Sequence, residues 1–299
     1  MRIGTLRLYL NIKLYLYFPK SVVLCCKLAY MSEVIEDAIT PEENTMRRSP
    51  SVIFSVTFIR HGETEANRER KIQGHLDIPL SSLGKVQASQ AGESLCKTAF
   101  TRAYTSDLCR AYSTCEHILK ENSCILPSIK VDERLRERNF GSVEGMNIDE
   151  VKAKAASEGL MWTEYNPPGA ESLGDLQARM VAFFKELSQS VYDKNRQKIS
   201  SGVENGCEDK EDTEITDNIQ LLEEGVPVEK ILVVGHGAAL KQLYIHFHKT
   251  LGCNTPGDFD EINKISPNTG ISEYIIRFSP KKYNLQCVRL HDGGHLQDP

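Results

Sequence analysis

The chain of 299 residues is short of several things, and each shortage excludes a class of protein. It has one tryptophan, Trp162, and no internal repeat, so a propeller or solenoid built on periodic aromatic marks is ruled out. Its nine cysteines form no CxxC pair and no finger spacing, and their number is odd. Reduced thiols in an intracellular protein are the expectation, not a disulfide scaffold or a zinc module. There is no basic excess: the net charge is -5, which gives no footprint for nucleic-acid binding. Bases interrupt every apolar stretch, so no run approaches the roughly 20 residues of a membrane span, and no stable membrane insertion is expected. Hydrophobic content of 40% and charged content of 26% are those of an ordinary globular protein.

The first thirty residues carry Arg2, Arg7, Lys13, Lys20 and Lys27 but no acid before Glu33. They satisfy no targeting pattern fully. Residues 1–50 are therefore expected to be an extension, either disordered or upstream of a true start at Met31 or Met46. The working domain is then 51–299. Within it, about 194–228 reads as a disordered acidic insertion, because "ENGCEDKEDTEITDN" cannot bury enough apolar surface to offset its ordering. Such segments suit protein partners.

Between these tracts the pattern alternates. Ser51–Ile59 is apolar and β-branched, a buried strand. Leu83, Val86, Ala88, Ala91 and Leu95 share a helical face over 82–99. Ala103–Thr105 is a second short strand, and 107–121 a helix that Ser106 or Asp107 would cap. Residues 172–192 repeat apolar positions at helical spacing. Ile231–Val234 is a strand and Ala238–Phe247 a helix, while Ile271–Phe278 and Leu285–Leu290 read as a hairpin turning at Pro-Lys-Lys. The pattern predicts an α/β three-layer sandwich, a mostly parallel central sheet flanked by helices.

Two strands end alike. "VTFIRHGETEAN" (Val56–Asn67) runs into Arg60–His61–Gly62, and the later one into Gly235–His236–Gly237. Ligands of open α/β sheets bind at the carboxyl ends of strands, so the two histidines can meet there. Arg60 and Arg110 add permanently charged forks that match an anion, phosphate first, better than a metal. A neutral imidazole can attack phosphorus, and the leaving alkoxide then needs a proton. Glu133, Glu137 and Glu144 in "ERLRERNFGSVEG" are the candidates to supply it. Other readings are weaker. "GHGAAL" has Leu240 where a dinucleotide fingerprint needs Gly or Ala. His246 and His248 read as structural, and Cys109 beside Arg110 as an inert thiol.

"RHGE", "TSDLCRA" (Thr105–Ala111), "LRERNFG" (Leu135–Gly141) and "GHG" together resemble the histidine phosphatase superfamily, the phosphoglycerate-mutase-like proteins, over about residues 52–290. The resemblance implies His61 as nucleophile, Glu137 as proton donor, and Arg60, Arg110 and His236 as the phosphate clamp. It adds Asn67 as a phosphate ligand, Gly237 beside the phosphate, and Gln73 and Gly74 toward substrate. It implies no metal and no cofactor. "PPGAESL" (Pro167–Leu173), "SPNTGIS" (Ser266–Ser272) and the acidic insertion bring it nearest the fructose-2,6-bisphosphatase branch. The expectation is thus a cytoplasmic phosphatase, a monomer, with nuclear or mitochondrial association possible, acting on a phosphorylated sugar. A phosphoglycerate mutase and a partner-binding regulator are the alternatives, and residues 139–172 could be a lid.

Overall fold

The computed structural model describes residues 51–162, 164–204, 226–253 and 259–296. The expected extension over 1–50 and the middle of the expected insertion lie outside the described residues. In chain order the elements are β1 (Val52–Arg60), α1 (Glu65–Arg68), α2 (Ser82–Ser94), β2 (Arg102–Thr105), α3 (Cys109–Lys120) and β3 (Ile129–Val131). There follow α4 (Ile148–Ser157), α5 (Leu173–Glu204), β4 (Glu229–Gly235), α6 (Gly237–Lys249), α7 (Phe259–Ile262), β5 (Ile271–Ser279) and β6 (Lys282–Asp292).

Six strands form one sheet in the order β3-β2-β4-β1-β5-β6. The first four are mutually parallel, and β5 runs antiparallel to both β1 and β6. The sheet is covered on both faces, which is why its central strands are apolar on both. Phe54, Val56, Phe58, Ile231 and Val233 face one core with Leu176, Met180, Phe183 and Leu187 of α5 and Leu240, Leu243 and Phe247 of α6. Ile59, Leu232 and Val234 face another, with Ala91, Ala111, Cys115 and Ile118 from α2 and α3. The three-layer architecture is the one the alternating pattern predicts.

Four details depart from it. Leu83 and Val86 are 42% and 52% exposed, and the buried stripe of α2 is Gly84, Ala88, Ala91 and Leu95. The helix is rotated because Gly84 lies against the chain after β1: a Cβ there would stand 2.0 Å from the Glu63 carbonyl oxygen. Neither Ser106 nor Asp107 caps α3, whose N-cap is Leu108. Asp77, from a distant loop, accepts the Cys109 N–H at 2.7 Å, while Asp107 receives the Arg136 guanidinium. Helix α5 continues to Glu204, so the front of the supposed disordered insertion is helical. Last, residues 139–172 carry α4 and build a small separate core, in which Val143, Val151, Ala155 and Tyr165 pack with Ile72 and Phe140 stacks on Trp162. Among the described residues no helix is long and apolar enough to cross a membrane.

Candidate active site

The register of β1 and β4 sets Arg60 opposite Gly235, so the residues that follow, His61 and His236, emerge side by side. The His61 N–H donates to the Gly235 carbonyl at 2.9 Å, closing the two strand ends together. The imidazole centroids are 5.1 Å apart. Gly62 has no room for a side chain, since a Cβ would lie 2.4 Å from the Gly84 carbonyl oxygen, and its N–H is held by Thr114 Oγ1 on α3. Thr114 in turn donates to the Arg110 carbonyl, which ties the His61 turn to the helix that bears Arg110.

Arg110 is fully buried, with Nη1 on the Leu76 carbonyl and Nη2 on the Gly74 carbonyl. Gly74 sits at φ +52, a left-handed conformation that presents that carbonyl. Arg60 donates Nη1 to the Ser266 carbonyl. The buried Nε atoms of both arginines, and both ring nitrogens of His236, have no hydrogen-bond partner within the protein. Such groups are costly to leave unpaired, and here they cluster around one imidazole. An oxyanion would accept from both arginine Nε–H groups and from the N–H of the His236 ring.

The electrostatics agree. Burial, then Arg60 and Arg110, holds the His61 pKa well below the usual imidazole range, against the pull of the Gly62 carbonyl. Burial, then Arg110, His61 and Arg60, does the same for His236. Both imidazoles are neutral. His61 Nδ1 lies 2.7 Å from the Gly62 carbonyl oxygen. A carbonyl only accepts, so Nδ1 carries the proton and Nε2 keeps its lone pair. Burial also lowers both guanidinium pKa values, opposed first by Glu137.

The three candidate acids are separated by their surroundings. Glu133 is exposed and pairs with Arg136. Glu144 accepts the His75 and Phe140 N–H groups, and of the two arginines it acts on Arg110 alone. Glu137 acts on both. Its carboxylate accepts the Arg138 N–H at 2.8 Å and those of Ala238 and Ala239 at 3.1 Å, so it closes the first turn of α6 beside His236. A carboxylate is favoured at a helix N-terminus by hydrogen bonding and by the dipole.

The remaining expected residues lie around this centre. Asn67 Oδ1 closes the capping box of α1 with Thr64 and meets Asn268 Nδ2 at 3.3 Å, leaving the Asn67 amide NH2 as its group able to donate. Gln73 is buried within hydrogen-bond distance of Thr64 Oγ1. Gly237 packs against Ile265 and the Arg60 guanidinium. The Cys109 thiol is pushed up to about 11 by burial and Asp77, as an inert thiol should be.

Sequence reasoning missed three participants and one cation further along α6. Asn268 donates to the His61 carbonyl at 3.0 Å and reaches the site because β5 is antiparallel and brings its leading loop there. Thr114 needed the α3–β1 contact to be seen. Arg179 binds the backbone around Glu137. Lys241 is half-buried one helical turn beyond Gly237, with its pKa lowered by burial and no carboxylate paired with it among the described residues. The basic residue in "GHGAALK" was the available signal for it. Among the described residues, no group of three or more His, Cys, Asp and Glu is disposed to hold a metal ion.

Comparison with known proteins agrees with this geometry. The family model described as histidine phosphatase superfamily (branch 1) matches residues 56–201. The fructose-2,6-bisphosphatase TIGAR of Mus musculus is 36% identical over 258 residues, 81% of this chain and 96% of that protein. A 2,3-bisphosphoglycerate-dependent phosphoglycerate mutase of Azorhizobium caulinodans is 35% identical over 143 residues, 46% of this chain and 69% of its own. The solved phosphoglycerate mutase of Bacillus anthracis str. Sterne superposes with a TM-score of 0.58 at 21% identity, over 83% of this chain and 97% of that one, a likeness of fold.

Proposed function

The chain belongs to the histidine phosphatase superfamily, and from that premise we propose that it is a phosphoric monoester hydrolase whose substrate is fructose 2,6-bisphosphate. The observation that carries the reading is His61: buried, neutral, its Nδ1–H fixed on the Gly62 carbonyl, among Arg60, Arg110 and His236. The similarity to the mouse fructose-2,6-bisphosphatase over most of both chains supports the substrate. We place the catalytic domain over 51–299.

In this reading His61 Nε2 attacks phosphorus in line and the bond to the sugar oxygen breaks. The two arginines and His236 hold the non-bridging oxygens, whose charge stabilisation is the main task in phosphoryl transfer. The Glu137 carboxyl gives its proton to the departing oxygen, and the sugar leaves as an alcohol. Water then attacks the phosphohistidine. Glu137 takes one water proton, inorganic phosphate departs, and His61 and Glu137 return to their starting forms. Lys241, one helical turn beyond Gly237 on α6, would receive the second phosphate of a bisphosphorylated ligand.

The test is a phosphate-release panel: fructose 2,6-bisphosphate, fructose 1,6-bisphosphate, 2,3-bisphosphoglycerate, phosphoenolpyruvate and 4-nitrophenyl phosphate. Fructose 2,6-bisphosphate should rank first. Lys241→Met should raise its KM about tenfold and leave 4-nitrophenyl phosphate unchanged, since one charge-assisted contact is lost. Transfer of phosphate between positions of phosphoglycerate at a rate above hydrolysis would favour a mutase instead.

A further inference from the structure

The acid must stand within about 3 Å of the oxygen it protonates. Glu137 has to meet that demand from an irregular segment, for residues 136–140 lie between two single-turn 3-10 helices, Glu133–Leu135 and Gly141–Val143. Carbonyls there have no ladder to join and must find other donors. One side chain supplies donors to two of them and to the carbonyl of Arg134 just before. Arg179, on the second turn of α5, donates Nη1 to the carbonyls of Arg134 and Arg136, both at 2.7 Å, and Nη2 to that of Glu137 at 2.8 Å. Its other edge forks Glu171, Nε to Oε1 at 2.6 Å and Nη2 to Oε2 at 2.8 Å. Glu171 grips the same segment further on. Its N–H donates to the Asn139 carbonyl, and its own carbonyl accepts Arg138 Nε.

We infer that Arg179, oriented by Glu171, is the positioning residue for the Glu137 proton donor. The inference rests on the reading of Glu137 given above. The clamp starts from rigid ground: Leu176, Met180 and Phe183, on the same two turns of α5, are buried in the main core. Its far end is the Glu137 peptide, whose carbonyl also accepts His75 Nε2. Glu137 is thus pinned through its peptide to α5 and through its carboxylate to α6. With Arg179 removed, Glu137 itself keeps only its carboxylate anchor and the His75 contact, and the segment, still tied at Arg136 to Asp107 and at Arg138 and Asn139 to Glu171, can shift at its centre relative to the phosphate clamp. The hydrogen bonds that hold Arg60 and Arg110 go to other carbonyls, and Arg179 reaches His236 only as a distant charge, behind burial, Arg110, His61 and Arg60 among the causes of its lowered pKa. Loss of Arg179 therefore weakens protonation of the leaving group and spares phosphate binding and attack.

Leaving-group chemistry separates these. Nitrophenolate departs without a proton, whereas a sugar alkoxide does not. Full-length wild type, Arg179→Gln and Glu171→Gln would be assayed on 4-nitrophenyl phosphate and on the alkyl ester the wild type turns over fastest. For both variants kcat on the alkyl ester should fall about 10–100-fold, part of what a well-placed general acid contributes. KM and inhibition by inorganic phosphate should hold, and kcat on the aryl ester should stay within about threefold. Equal losses on both esters, or no loss on the alkyl ester in a folded variant, overturn the proposal. Should Arg179→Gln fail to fold, Glu171→Gln carries the same comparison. A wild type that releases phosphate from none of the esters overturns the phosphatase reading itself, and this proposal with it.

Discussion

The rings of His61 and His236 stand 5.1 Å apart, centroid to centroid, with their planes inclined at 57°. They come from neighbouring parallel strands, and neither carries a proton beyond the neutral form. Only His61 has a ring nitrogen tied to a neighbouring carbonyl, so the two are not equivalent. His61→Ala should lower phosphate release by about 10³-fold or more, as removal of a covalent nucleophile does. Rapid quenching in base followed by mass spectrometry should find one phosphoryl group on the wild type and none on the variant. A variant that keeps the adduct places the nucleophile elsewhere.

Anion binding should depend on Arg110. Its guanidinium is fixed by two carbonyls while Nε has no protein partner. Arg110→Ala should weaken inorganic phosphate by about 10–100-fold, the loss expected of a buried charge-assisted contact. Isothermal titration calorimetry measures it, and unchanged affinity would remove Arg110 from the clamp.

Stability should fall in mild acid. Six histidines, His61, His236, His246, His248, His291 and His295, are depressed by burial. The unfolded chain therefore binds protons near the ordinary value of about 6.5 while the folded one does not. Stability is full above that pH and declines below it, by up to about 1.4 kcal/mol per pH unit for each of the fully buried His61 and His236 and by less for the four that solvent reaches. Thermal unfolding without ligand should show Tm falling from pH 7.5 to 5.5, and His236→Gln should flatten the slope. An anion in the site favours the charged imidazoles, so added phosphate should protect more at the lower pH.

Gly84 should be irreplaceable. Even alanine would place its Cβ 2.0 Å from the Glu63 carbonyl oxygen, which is backbone and cannot swing aside. Gly84→Ala should cost about 1–3 kcal/mol in urea unfolding, typical of overpacking. It should also lower activity, since the displaced turn carries His61 and Gly62. A variant of wild-type stability would show that α2 can slide away freely.

What the sequence declared and what it withheld divide along a physical line. Both histidine-bearing strand ends are legible, because an apolar, β-branched run that stops at a histidine followed by glycine is a local signal. So are the covering helices, whose apolar residues recur at helical spacing. Strand β3 is not: it has three residues, at a sheet edge, two of them exposed. Helix α4 buries only Val151 and Ala155, too little for a periodic signature. The end of α5 is not legible, because a polar tract can remain helical when its start is anchored. Within the site, spacing left Glu133, Glu137 and Glu144 open. The separation comes from N–H groups of α6, a hundred residues away along the chain. Arg179 and Thr114 escaped for the same reason, since each acts through backbone atoms that only the fold brings near.

The carboxylate at the start of α6 has one more consequence. The first turn of any helix draws anions, and a bare one beside two arginines would fill with whatever small anion is abundant. Here the seat is taken by the Glu137 carboxyl group, tethered to the chain, whose effective concentration no free solute matches. A visitor gains little from the helix and must be held by the guanidinium forks and His236. The helix end thus serves to seat the acid, and the grip on phosphate falls to side chains alone.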